Sequence, residues 1–257
     1  MFNMTKKEVI ESLVIVLFLT LFFGFNDGRE TFVASYWFAN LLRIFVIVMI
    51  TFMVHVFGHK VVASIYGATV TTKNWAIQRY WITQRAHLPI AMNFFGARYK
   101  INSLYIGVVI GIIVTLISNG KFWFAGLESQ ELSIDRFKRL GKGGIAISKW
   151  EVAKIAIAGS MANVILIFLL GIFNSSGIFD KFILIGGLFA IYSMFPLPGL
   201  DGNTVYFESK PLYIFGFCFI VLSFFLLQFL TAGATLFMTL LLTFVIGTTW
   251  FYFRMFK

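Results

Sequence analysis

The sequence holds a single cysteine, Cys218, among 257 residues. With no second thiol, intrachain disulfides and thiolate metal clusters are excluded. Charge is scarce as well: Asp, Glu, Lys and Arg make up 12% of the chain against 59% hydrophobic residues, and mean hydropathy is +0.88. A soluble domain does not have this composition. Acidic residues are the rarer sign, 11 against 21 Lys and Arg, and histidine occurs three times. Any chemistry that needs carboxylates or imidazoles has few side chains to draw on.

What is abundant is apolar sequence. Runs of membrane-spanning length fall at 9–25, 36–59, 152–173, 181–195, 211–230 and 234–253, with a shorter one at 103–118. They predict an all-α polytopic membrane protein with about six transmembrane helices. The first run ends in "LFFGFNDGRE", which offers no A-x-A cleavage site, so it reads as a retained anchor helix. Spans and loops use nearly the whole length, which implies one integral membrane domain, 1–257.

The formal charge of +10 follows topology rather than a nucleic-acid surface. Lys60, Lys73, Arg79, Arg85, Arg98 and Lys100 occur between residues 60 and 102 with no acidic residue among them, and a second basic stretch runs from Lys121 to Lys154. The positive-inside rule places both in the cytoplasm. The run 103–118 separates them, so a full crossing there would put one basic loop outside. Residues 103–126 are therefore expected to enter and return on one side as a re-entrant or interfacial segment, packed against protein. The other runs then alternate, with both chain ends inside.

In "MITFMVHVFGHKVVASIYG", residues 49–67, His55 and His59 stand four apart near the cytoplasmic end of the second run. That spacing puts both imidazoles on one helix face, where they can share a metal ion. Two interfacial histidines bonded to backbone carbonyls fit the pair equally well. A metal site needs a third ligand, and a carboxylate at the same depth is the natural supplement. The expected topology removes most candidates, Glu128 and Glu151 among them, and leaves Asp201, with Glu11 second. Asp201 lies in "YSMFPLPGLDGN", where Pro196 and Pro198 should end the fifth helix and free the backbone to turn inward. Asp-Gly as ordinary turn chemistry is the alternative.

These residues carry a resemblance. "HVFGHK" resembles the H-E-x-x-H helix of the site-2 protease family of intramembrane zinc metalloproteases. "AGSMAN", residues 158–163, is similar to its A-G-P-x-x-N segment, and "FPLPGLDG" to its N-x-x-P-x-P-P-L-D-G segment. The resemblance implies a catalytic core over 36–202, with 203–257 as C-terminal transmembrane helices. It implies Zn2+ held by His55, His59 and Asp201, and Asn163 orienting substrate or its developing oxyanion. It also implies a small β region within 68–100 that pairs with extended substrate, although a basic interfacial loop that attracts anionic lipid fits that stretch too. The expected partners are a transmembrane protein or peptide substrate and membrane lipid, with no nucleic acid. The expected location is the cell membrane, with the metal site near its cytoplasmic side.

Four positions depart from the pattern. Ser160 and Gly199 replace prolines, Ser193 replaces asparagine, and Val56 replaces the glutamate that serves as general base. Valine neither accepts nor donates a proton, and losing such help costs about 10²–10⁴-fold in rate. The expectation is a zinc pocket with little or no peptidase activity, or a non-catalytic protein that holds transmembrane clients in the same groove. Glu11, Glu128, Glu151 and His87 are the possible substitute bases, and none has sequence spacing to support it.

Overall fold

The computed structural model describes residues 4–77, 90–94, 97–101, 104–134, 139 and 146–255. Eight helices are described: α1 (Lys6–Gly24), α2 (Ala34–Ile65), α3 (Ile106–Ile117), α4 (Lys149–Ile172), α5 (Asp180–Ser193), α6 (Asp201–Glu208), α7 (Lys210–Leu226) and α8 (Ala232–Met255). Four short strands accompany them: β1 (Ala68–Asn74), β2 (Ile90–Phe94), β3 (Ala97–Ile101) and β4 (Glu128–Ile134). Every apolar run read from the sequence forms a helix. Three of these, α2, α4 and α8, are long and apolar enough to cross a membrane. Helices α5 and α7, at 14 and 17 residues, are shorter, and α1 carries Lys7, Glu8 and Glu11 in its first turns.

Helix α4 is the hub of the bundle, touching α2, α5, α6, α7 and α8 and packing most extensively on α2. It begins at a capping box in which Ser148 Oγ accepts from the Glu151 amide and the Glu151 carboxylate accepts from the Ser148 amide, a motif worth about 1 kcal/mol to the helix start. Its crossing with α2 is close because the residues are small. A Cβ on Gly58 of α2 would lie 2.7 Å from both the Ala158 carbonyl oxygen and the Ala162 Cβ of α4. Small-residue crossings of this kind bring backbones together where lipid supplies no hydrophobic driving force.

The segment expected to re-enter does double back. Helix α3 ends at a turn in which Asn119 and Gly120 have φ of 50° and 70°, and the chain returns without helix through residues 121–127. A Cβ on Gly107, at the start of α3, would lie 2.5 Å from the Gly126 carbonyl oxygen, so the two legs finish side by side. The return leg is buried at Phe124, Ala125 and Leu127, and Tyr192 of α5 donates to the Trp123 carbonyl at 2.7 Å. Where non-helical backbone lies within a membrane, it needs such cover from protein.

This hairpin decides where the sheet forms. Strand β1 pairs antiparallel with β4, from Ala68 opposite Ile134 to Asn74 opposite Glu128. The sequence placed a β region within 68–100. Its first strand is there, but its partner comes from beyond the re-entrant hairpin. Within the same stretch β2 and β3 form a separate antiparallel pair, and residues 78–89 and 95–96 lie outside the described residues.

The β1–β4 register is testable. With Cys218 replaced by serine, the double variant T69C/S133C should form a disulfide, because the Thr69 and Ser133 hydroxyls lie 2.7 Å apart. The reduced pair should react with an impermeant thiol reagent from the same face of the membrane. Labelling from opposite faces would show that 103–118 crosses.

Candidate metal centre

The first two site residues come from α2, whose 3.6-residue period stacks His55 and His59 on the face toward α4. Both are buried. Each ring is fixed through Nδ1. His59 Nδ1 lies 2.8 Å from the Ile155 carbonyl oxygen, and a carbonyl only accepts, so Nδ1 carries the proton and Nε2 keeps its lone pair. His55 Nδ1 lies 3.2 Å from the Asn163 side-chain amide nitrogen, while Asn163 Oδ1 is buried with no hydrogen-bond partner. Turning that amide over lets Oδ1 accept from Nδ1–H and leaves the lone pair of His55 Nε2 for a metal, with the amide NH2 group unpartnered.

The third residue arrives through the turn after α5. Gly199 has φ of 99°, and the Trp75 indole nitrogen, just after β1, donates to the Pro198 carbonyl at 2.7 Å. Asp201 opens α6, and Gly202 beside it is obligatory, since a Cβ there would lie 2.0 Å from the Met194 carbonyl oxygen. The turn brings Asp201 Oδ2 to 3.4 Å from His55 Nε2 and 3.2 Å from His59 Nε2. The two Nε2 atoms are 3.0 Å apart.

These spacings test the fit of an ion. A tetrahedral cation with bonds of about 2.0–2.2 Å sets its donors about 3.3–3.6 Å apart, close to the three separations here. Two imidazole nitrogens and a carboxylate oxygen converging out of water need a proton or a metal cation shared among them. The donor set, two nitrogens and one oxygen without sulfur, suits zinc among other divalent transition metals. Among the described residues, His55, His59 and Asp201 form the group whose donor atoms could hold a metal ion.

Gly159, in the "AGSMAN" stretch, makes room for this convergence. A Cβ there would lie 2.1 Å from His59 Nε2 and 2.7 Å from His55 Nε2. The hydroxyls of Ser160 and Ser193 bond each other at 2.7 Å in the core, joining α4 to α5. Val56 is buried in the apolar cluster with Phe52 and Phe189. It lines a groove of about 480 Å³ between α1 and α2, beside Ser12, Val16 and Met49.

A fourth residue joins the centre, one that the expected topology removed as a ligand by placing it in a cytoplasmic segment and that remained only as a substitute base without supporting spacing. Glu128, the first residue of β4, is buried, and its Oε2 lies 3.6 Å from His55 Nε2. Burial pushes its carboxyl up to about 8, with His59 opposing the rise and Asp201 adding to it. Burial presses Asp201 the same way, but the two imidazoles override it and hold that carboxyl at about 2. The remaining candidates go elsewhere. Glu11 accepts from Asn74, Glu151 caps α4 and pairs with Arg139, and His87 lies outside the described residues. No spacing in the sequence marks Glu128; only the doubling back of 103–126 brings it to the histidines.

Compared with protein-family models, curated proteins and solved structures, the chain matches none, so the site's own geometry carries the functional argument.

Gly159→Ala should abolish zinc binding in a competitive chelator titration, because its methyl group occupies the space of the histidine nitrogens. Asn163→Leu, which removes only the partner of His55, should weaken zinc about 10–100-fold. Wild-type affinity in Gly159→Ala would contradict the assignment.

Proposed function

We propose that the chain is an intramembrane zinc-dependent peptidase of the site-2 type, acting on a peptide bond in or near a transmembrane segment of another membrane protein. The observation that supports this most is the convergence of His55, His59 and Asp201 donor atoms, 3.0, 3.2 and 3.4 Å apart, on and beside a helix apolar enough to cross a membrane. In this reading all six long apolar runs cross, the basic loops face the cytoplasm, and the centre lies near that side of the cell membrane.

A zinc ion held there would polarise the scissile carbonyl and acidify a water. The chain's own residues do the rest. His59 is oriented by the Ile155 carbonyl and His55 by Asn163, which fixes both Nε2 atoms without further motion. With Oδ1 of Asn163 committed to His55, its NH2 group remains to donate to the oxygen of a polarised carbonyl. Strand β4 has one edge with no paired strand among the described residues, where an unwound substrate can add by strand pairing.

One observation favours a second reading, a zinc-binding protein that holds transmembrane clients without cleaving them. Position 56 carries valine, buried among apolar side chains, and contributes nothing to proton transfer.

Purified protein in detergent, incubated with single-span transmembrane peptides, separates the two. The peptidase reading expects cleavage that a chelator abolishes, that added zinc restores, and that falls to background in His59→Ala together with bound zinc. Peptide binding without cleavage, at one zinc per chain, would support the client-binding reading.

A further inference from the structure

The unexplained group at the centre is Glu128. Its two carboxylate oxygens are treated differently. Oε1 accepts from the Gln130 side-chain amide, the Thr72 hydroxyl stands close enough to favour the charged carboxylate, and Oε2, buried without a hydrogen bond of normal geometry, stands 3.6 Å from His55 Nε2. A buried carboxylate oxygen left without a partner is costly, and this one faces a metal centre.

Its position is set from several directions. The Trp75 amide donates to the Leu127 carbonyl at 2.6 Å, the Trp75 indole ties that point to the turn before Asp201, and Asn74 pairs with Glu128 across β1 and β4. The carboxylate is thus held from the side opposite α2, on a segment that shares anchors with the Asp201 turn. Glu128 reaches the centre from one side, its Oε2 3.6 Å from His55 Nε2, where a carboxylate can face a water held by a cation shared among His55, His59 and Asp201.

We propose that Glu128 supplies, from β4, the general base that α2 lacks at position 56. Resting on the peptidase reading, the step is a hydrolysis. The water oxygen bonds to the scissile carbonyl carbon, one water proton passes to Glu128 Oε2, and that proton moves to the departing amine nitrogen as the C–N bond breaks. The carboxylate ends as it began, with one water consumed per peptide bond. The wild-type chain is on this account a working peptidase whose base comes from a different element of the fold.

The experiment compares wild type, Glu128→Gln, Glu128→Asp and Val56→Glu, each loaded with zinc and incubated with a panel of fluorogenic single-span transmembrane peptides. Zinc per chain and the absorption spectrum of the cobalt-substituted protein are read in parallel. Wild type should cleave. Glu128→Gln should keep full zinc and an unchanged cobalt spectrum while cleavage falls about 10²–10⁴-fold. Glu128→Asp, which retracts the carboxylate by one methylene, should keep zinc and cleave at an intermediate rate, and it decides the matter if the glutamine variant does not fold. Unchanged cleavage in Glu128→Gln would overturn the proposal and leave the peptidase reading standing. Loss of zinc from both folded Glu128 variants would overturn it by making Glu128 a ligand. Inert wild type beside an active Val56→Glu would overturn it as well. If no form cleaves although all bind zinc, the peptidase reading falls and takes this step with it.

Discussion

Everything at this centre depends on bringing two imidazole nitrogens to 3.0 Å in the core of an apolar bundle. Buried nitrogens at that distance need a proton or a cation between them. The fold supplies an acidic partner in Asp201, 3.2 and 3.4 Å away, and turns both rings by their Nδ1 atoms so that neither can rotate out of the contact. A divalent cation could be held by all three donors at once.

Much of the surrounding backbone serves that approach. Gly58 lets α2 and α4 close up, Gly159 leaves the space the imidazole nitrogens fill, and Gly202 lets the chain turn against the Met194 carbonyl so that Asp201 arrives at the start of α6. The re-entrant hairpin adds a wall from the other side. Its return leg packs on α5, joins the Asp201 turn through Trp75, and delivers Glu128 at its end. The sheet of β1 and β4 is the clamp that holds this wall to the end of α2, helped by the ion pair of Lys60 with the buried Glu8, which also accepts from the Thr72 amide.

The helices were legible because hydropathy is a local signal: each apolar run in the chain became a helix, and the basic stretches beside 103–118 already implied that this run doubles back. His55, His59 and Asp201 were legible because i and i+4 share a helix face and because two prolines mark where a helix must stop. What stayed hidden depends on contacts distant in sequence. The partner of β1 lies beyond the re-entrant hairpin, so no alternation within 68–100 could reveal it. Glu128 looks in sequence like any acidic residue opening a polar strand: membrane side removed it as a ligand, and no spacing singled it out among the substitute bases. The pairing of Ser160 with Ser193 joins two apparent departures that are unrelated when read separately.

The central claim is that a single cation is coordinated by two imidazoles and one carboxylate, and zinc K-edge X-ray absorption of the loaded protein reads that shell directly. The account predicts nitrogen and oxygen scatterers at about 2.0–2.2 Å, with the multiple-scattering signature of two imidazoles, losing one imidazole in His55→Ala. A shell without imidazole scattering, or one unchanged by that substitution, would contradict it.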